Sequence, residues 1–175
     1  MLYIAAYLRE QDWDGEMEVY DARLSANLTD YPDGSRVFGD TWETVTRTIG
    51  AFDPDVIGIS NMFSWQIDAA IHLSQICKET CPDAVTILGG PHASSFPLDM
   101  IREPTIDYVV MGEGEERLYQ FLQAWDKGNP IQIQGVLGKE DDLNLLRPNK
   151  KAPIQFITPL DSLPIPAYDP VSYTH

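Results

Sequence analysis

Positive charge is scarce in this chain. Twelve Lys and Arg stand against 27 Asp and Glu, a formal net charge of −15. Such a balance disfavours broad attraction to phosphate backbones and anionic lipid surfaces, so neither nucleic acid nor membrane is expected as a partner. Long apolar runs are lacking too. None approaches the roughly 20 residues that span a bilayer, and residues 1–8 are too short and lack the basic flank of a signal peptide; a cytoplasmic location is expected. Cysteine is limited to Cys77 and Cys81, four apart on one face of a predicted helix. That spacing invites a metal or redox reading. The commoner outcome in a reducing compartment is two free thiols, Cys77 packed in the core and Cys81 ending the helix before Pro82. Two thiolates are too few for an iron–sulfur cluster.

What is present fits one conventional domain with a tail. At 175 residues the chain is long enough to bury roughly 70% of the surface its unfolded form exposes. Tyr3, Ile4, Tyr7 and Leu8 recur at helical spacing ahead of Arg9 and Glu10, which predicts a short amphipathic helix. Residues 18–22 read as a short strand, and residues 25–39, with Pro32, Asp33 and Gly34, as an exposed loop. Asp40 or Thr41 caps a helix to Phe52 that buries Trp42, Val45 and Ile49, and Asp53-Pro54-Asp55 turns the chain.

A regular alternation follows: strand 56–60, helix 65–81, strand 85–88, a short helix at 98–102, strand 108–111 and helix 115–126, the last with Leu118, Phe121, Leu122 and Trp125 as its apolar positions. This predicts an α/β fold, a parallel sheet covered by helices on both faces through βαβ crossovers. Residues 131–137 and 153–157 read as two extended segments of a small β extension around the polar stretch 139–151. Four prolines between Pro159 and Pro170 rule out a long helix or a central strand there. The expected organisation is a main domain at 1–128, the β extension at 129–158 and a proline-rich strap at 159–175.

Three loops leave the C-terminal ends of the predicted parallel strands, where open α/β sheets bind ligands. They are Ser60-Asn61-Met62-Phe63-Ser64, Gly89-Gly90-Pro91-His92-Ala93-Ser94 and Gly112-Glu113-Gly114-Glu115. Hydroxyls, an amide and glycine backbone suit a bulky, uncharged or amide-bearing ligand with an aromatic part. No Lys or Arg lies among them, which weakens a phosphate reading, although helix N-termini alone can hold anions. Gly112 and Gly114 have no third glycine at Arg117, so the dinucleotide fingerprint is absent. The strand ends offer Ser60, Gly89 and Gly112 in place of the acidic cluster of a response regulator.

Individual residues carry competing readings. His92 is a potential ligand or proton donor, while a loop histidine more often caps a turn or bonds a neighbouring carbonyl. His72 reads as a partly exposed helix residue, and His175 carries little information. Glu113 and Glu115 form a possible catalytic pair, but a glutamate opening a helix commonly serves its dipole. Trp42 and Trp125 are expected in the core, Trp13 in a polar turn, and Trp65 either packs the start of its helix or borders the crevice.

Taken in order, the segments Leu2-Tyr3-Ile4-Ala5-Ala6-Tyr7-Leu8-Arg9-Glu10, Glu18-Val19-Tyr20-Asp21-Ala22, Pro54-Asp55-Val56-Ile57-Gly58-Ile59-Ser60, Leu88-Gly89-Gly90-Pro91-His92-Ala93 and Asp107-Tyr108-Val109-Val110-Met111-Gly112-Glu113-Gly114-Glu115 resemble the N-terminal cobalamin (B12)-binding domain of B12-dependent radical SAM enzymes. Leu163-Pro164-Ile165-Pro166-Ala167-Tyr168-Asp169 resembles the linker from that domain to the radical SAM barrel. The resemblance implies a flavodoxin-like doubly wound sheet holding a corrinoid. By analogy, the Ser60 loop with Gly89 and Gly90 would admit the dimethylbenzimidazole tail, and the turn from Gly112 would lie near the corrin edge. The cofactor contacts it implies are Ser60, Asn61, Met62, Ser64, Gly89, Gly90, Pro91, His92, Gly112, Glu113 and Gly114. No metal-ligating residue is expected, since the Asp-x-His-x-x-Gly cobalt-ligating signature is absent, and no catalytic residue is assigned.

The chain also departs from the pattern. Family members begin with an apolar strand ahead of the Leu-Tyr-Ile-Ala-Ala helix, and this sequence starts inside the helix. The first central strand is therefore expected to be missing, through a late start, or replaced by a neighbouring chain or a rearranged sheet. The cluster-binding Cys-x-x-x-Cys-x-x-Cys is also absent. The iron–sulfur cluster and S-adenosylmethionine are thus expected only in a separate radical SAM domain, reached in cis or in trans, with no catalysis by this polypeptide alone. Methyltransferase or porphyrin-cyclase chemistry is implied, and the open sheet edge offers a route to a homo-oligomer. The rival is an interaction module of the same fold that no longer binds B12; a third reading is a small nucleotide-binding protein.

Overall fold

A computed structural model describes residues 1–129, 131–141 and 157–168. The first helix, α1 (Leu2–Glu10), turns Ile4 and Leu8 toward the sheet and Ala5 and Ala6 away from it. An antiparallel hairpin follows, β1 (Leu28–Asp30) and β2 (Arg36–Phe38), and then α2 (Trp42–Phe52), whose N-cap Thr41 accepts from the Thr44 N–H. The main run is β3 (Val56–Ser60), α3 (Ile67–Thr80), β4 (Val85–Gly89), α4 (Pro91–Ser95), α5 (Pro97–Ile101), β5 (Tyr108–Val110), α6 (Glu115–Asp126) and β6 (Val136–Gly138).

The sheet runs in the order β3-β4-β5-β6; its first three strands are parallel and β6 is antiparallel to β5. Side chains alternate across it. Ile57, Ile59, Leu88, Val109 and Leu137 face a core closed by α2, α3, α4 and α5. Val56, Ile87, Val110 and Val136 face the opposite core, closed by Ile4 and Leu8 of α1 and Phe121 and Leu122 of α6. Helices thus cover both faces, as the strand–helix alternation predicts. No strand pairs with the outer edge of β3 among the described residues, and none of their helices is long and apolar enough to cross a membrane.

Several expectations are corrected. Residues 18–20 form no strand: Val19 packs on the Ala5 and Ala6 cluster of α1, and the Asp21 carboxylate caps a 3-10 turn at Ala22–Ser25. The expected loop at 25–39 instead holds the β1–β2 hairpin. It is closed by Tyr31 N–H to Ser35 C=O and Gly34 N–H to Tyr31 C=O bonds, with Gly34 at φ +86°. Residues 91–95 are helical, because Pro91 at the first helical position has its φ already set. Helix 65–81 begins as a 3-10 turn at Ser64–Gln66 and is α-helical only from Ile67 to Thr80. Trp125 is 37% exposed, whereas Trp13 packs against the α1–α6 core. Of the extended segment expected at 153–157, only Ile157 lies within the described residues.

Cys77 is fully buried and Cys81 nearly so; both are free thiols. Burial, with a smaller contribution from Cys81, pushes the Cys77 thiol up to about 11. Burial also raises the phenols of Tyr7, Tyr20 and Tyr108. A folded-state pKa above the unfolded one stabilises the fold below the unfolded value, and that contribution is lost as pH rises through the folded one. Stability is therefore expected to hold to about pH 9 and then fall, with Cys77 supplying about 2–3 kcal/mol of the loss by about pH 11. Urea unfolding at stepped pH checks this: Cys77→Ala should flatten the alkaline slope, and an unchanged slope would contradict the assignment.

Candidate functional site

The register places Ser60, Gly89 and Val110 in one row across three parallel strands, on the α1–α6 face at their C-terminal ends. One step deeper on that face lies Gly58, opposite Ile87. Gly58 and Ser60 are exposed and Gly89 is half-buried. A Cβ added at Gly58 would come no nearer than 3.8 Å to Met1 Cε, and one at Gly89 no nearer than 3.8 Å to the Val110 carbonyl oxygen. At this end of the sheet, Gly58, Ser60 and Gly89 make a floor without bulky side chains.

The three loops above this floor are laced to one another. The Asn61 N–H donates to the Gly89 C=O at 2.9 Å, and the His92 Nδ1 lies 2.8 Å from the Ser64 hydroxyl. These contacts join the first loop to the second. Ser94 joins the second to the third: its hydroxyl donates to Gly90 C=O at 2.9 Å and accepts from Gly112 N–H at 2.8 Å. Asn61 is 2% exposed, with its Nδ2 donating to Phe63 C=O at 3.2 Å and its Oδ1 buried without a partner.

Gly90 has a different role from Gly89. Its φ is +106° and ψ 179°, a region open essentially to glycine alone. An added Cβ would stand 2.4 Å from the Asn61 carbonyl oxygen. Gly90 therefore lets β4 turn sharply beneath Asn61, while Gly89 leaves space on the face of the sheet. Pro91 is exposed at the start of α4, and Met62 at 56% and Phe63 at 50% project from the first loop.

The third turn is held from below. Gly112 adopts φ +74°. A Cβ at Gly114 would meet Ile4 of α1 at 3.1 Å. The Glu113 carboxylate accepts the Ile157 N–H, so that side chain anchors the chain just ahead of the strap. From there the strap crosses α1, where Ala167 N–H donates to Leu2 C=O at 3.2 Å and Ala167 packs on Ala5 and Ala6. Glu115 opens α6 with its Oε2 buried and unpaired.

Two residues that act here are not legible as such in the sequence. Ser94 reads only as part of a loop, and its bridging hydroxyl depends on β4 and β5 being neighbours. Arg117 reads only as a missing glycine. Although no cation lies in the three loops, this one is 7% exposed directly behind the third. Its Nη1 donates to Glu113 C=O at 2.6 Å and its Nε to Gln134 C=O at 3.0 Å. The available signal was its spacing, since positions 117 and 121 share a helical face and Phe121 is core. Arg117→Met should cost about 2–4 kcal/mol in urea unfolding, because it strips donors from two carbonyls; a loss below about 0.5 kcal/mol would contradict that role.

Two surface depressions lie elsewhere. One, of about 520 Å3, runs along the strap beside Tyr3, and another, of about 450 Å3, lies between Tyr108 and Trp125. Neither combines an open glycine floor with convergent loop donors and acceptors, as the candidate site at the strand ends does.

Comparison with known proteins bears on what such a site holds. Residues 1–122 match the B12 binding domain family. The chain is 29% identical, over 95% of its length, to a cytidylyl-2-hydroxyethylphosphonate methyltransferase of Streptomyces wedmorensis, covering 35% of that protein. It is 34% identical over 97% of its length to an uncharacterized methyltransferase of Pyrococcus horikoshii, covering 33% of it. The chain thus spans about a third of the length of these curated relatives. Among solved structures, the radical S-adenosylmethionine methyltransferase TsrM of Kitasatospora setae shares the fold, with a TM-score of 0.60 at 20% identity over 78% of this chain and 25% of that one.

Proposed function

This chain belongs to the B12-binding domain family, and from that premise we propose that it holds the nucleotide tail of a cobalamin against the C-terminal ends of β3, β4 and β5, for methyl-transfer chemistry completed by a radical SAM domain. The open floor of Gly58, Ser60 and Gly89 carries the reading, because a flat aromatic base needs a shallow face without bulky side chains. The surrounding residues fit the same group: the loops carry no Lys or Arg, the Asn61 side-chain Oδ1 is unpaired, and Ser60, Ser64 and the glycine backbone offer neutral donors and acceptors for an amide-rimmed ligand.

In this reading Ser60, Asn61, Met62 and Ser64 form one wall, and Gly89, Gly90, Pro91 and His92 the second. Gly112, Glu113 and Gly114 form the third, braced by Ser94 and Arg117. Bound cobalamin supplies a cobalt centre that carries the transferable group, while the protein supplies orientation and exclusion of water. Relatives about three times as long provide room for the domain that would bind S-adenosylmethionine and an iron–sulfur cluster.

The purified chain, mixed with hydroxocobalamin and passed through a desalting column, should carry corrinoid absorbance with the protein peak at about one per chain. Emergence without colour while still folded would overturn the binding claim and leave the interaction-module reading.

A further inference from the structure

Resting on the corrinoid reading above, we propose that His92 is a positioning residue: acting through Ser64, it clamps the first loop so that the Phe63–Trp65 aromatic pair stands in one place at the mouth of the crevice. The loop has little else to hold it. Met62, Phe63, Ser64 and Trp65 are all exposed, Trp65 at 78%, so no apolar burial repays the roughly 1–2 kcal/mol per residue that fixing their backbone costs. Even so, the rings of Phe63 and Trp65 lie nearly parallel, 16° apart with centroids at 6.1 Å. Polar ties from within the loop are short-range: Asn61 Nδ2 to Phe63 C=O, Gln66 N–H to Phe63 C=O at 2.9 Å, and Ile67 N–H to Ser64 C=O. None of these fixes the loop relative to β4, and the backbone bond from Asn61 N–H to Gly89 C=O ties only the loop's start to it, ahead of Met62.

The side-chain tie to the second loop is the 2.8 Å contact between His92 Nδ1 and Ser64 Oγ, spanning 28 positions in sequence. His92 is itself well placed to act as an anchor. Pro91 presets the first turn of α4, the His92 carbonyl accepts from Phe96 N–H at 2.9 Å, and the imidazole rests against the Phe96 ring with centroids 5.0 Å apart. The clamp therefore joins an exposed loop to a braced turn, and presents Trp65 pre-ordered to whatever enters between them. Ordering paid before binding is ordering the ligand does not have to supply.

The test uses amide hydrogen exchange of the full chain without ligand, read at Gln66 and Ile67, whose N–H groups open when the turn opens. Ser64→Ala and His92→Leu should each speed exchange there by about threefold to tenfold, the range of one lost hydrogen bond. The double variant should add nothing further. His92→Asn, which can place a polar atom where Nδ1 stands, should restore slow exchange, whereas His92→Gln, which mimics Nε2, should not. With hydroxocobalamin, the two single variants should release the corrinoid several-fold faster than wild type. Unchanged exchange in both singles, or additive effects in the double, would overturn the clamp. If exchange behaves as stated but wild type retains no hydroxocobalamin, the clamp stands and the corrinoid reading fails.

Discussion

Gly90→Ala is expected to lower the thermal midpoint by about 6–12 °C. Two independent costs combine. The backbone at φ +106° and ψ 179° lies outside the basins of L-residues, which costs about 1–3 kcal/mol. The new Cβ would also stand 2.4 Å from a backbone oxygen, that of Asn61, and backbone moves only by shifting β3 or β4. About 3 kcal/mol in total is a large share of a domain's net stability and corresponds to this shift for a chain of this size. Gly89→Ala is the control: its φ is ordinary and its Cβ meets nothing closer than 3.8 Å, so it should stay within about 1 kcal/mol of wild type. Differential scanning calorimetry of the pair checks the contrast, and equal midpoints would contradict the separate roles assigned to two adjacent glycines.

Gly89→Trp is expected to fold and to lose corrinoid by roughly hundredfold or more, about 2.7 kcal/mol. The backbone at 89 accepts a side chain, and on the face shared with Ser60 and Gly58 the indole has open floor to cover. A tryptophan there occupies the surface that the ligand's base would need, and the rows behind it on the opposite face, Leu88 and Val109, are untouched. Circular dichroism and urea unfolding establish that the variant is folded, and corrinoid retention then reads the site alone. Retention equal to wild type would move the ligand off this face.

Much of this arrangement is legible in the residues. The β-branched runs at 56–60 and 85–89 end in small residues, and helix 115–126 declares itself through Leu118, Phe121 and Leu122 and ends at Asp126 as expected. The family follows from motifs in order along the chain. The departures have a common physical cause: they depend on partners distant in sequence. Residues 18–20 alternate like a strand yet pack Val19 on α1 instead of pairing. Leu28–Asp30 and Arg36–Phe38 are three residues each and become strands only by finding one another. α4 is too short for helical periodicity to show. The division of labour between Gly89 and Gly90 is not legible either, since both read as space for a ligand and only the fold sets the Asn61 backbone against the second. Arg117 and Ser94 act on carbonyls and amides that only the folded sheet brings near.

The central claim is that the floor of Gly58, Ser60 and Gly89 receives the nucleotide tail of a cobalamin. Parallel absorbance titrations of the wild-type chain with hydroxocobalamin and with aquacobinamide, which carries the corrin ring but no such tail, test it most directly. Cobalamin binding at least about tenfold tighter than cobinamide, a difference of about 1.4 kcal/mol, is the predicted result; equal affinity for the two, or binding of neither by folded protein, would contradict it.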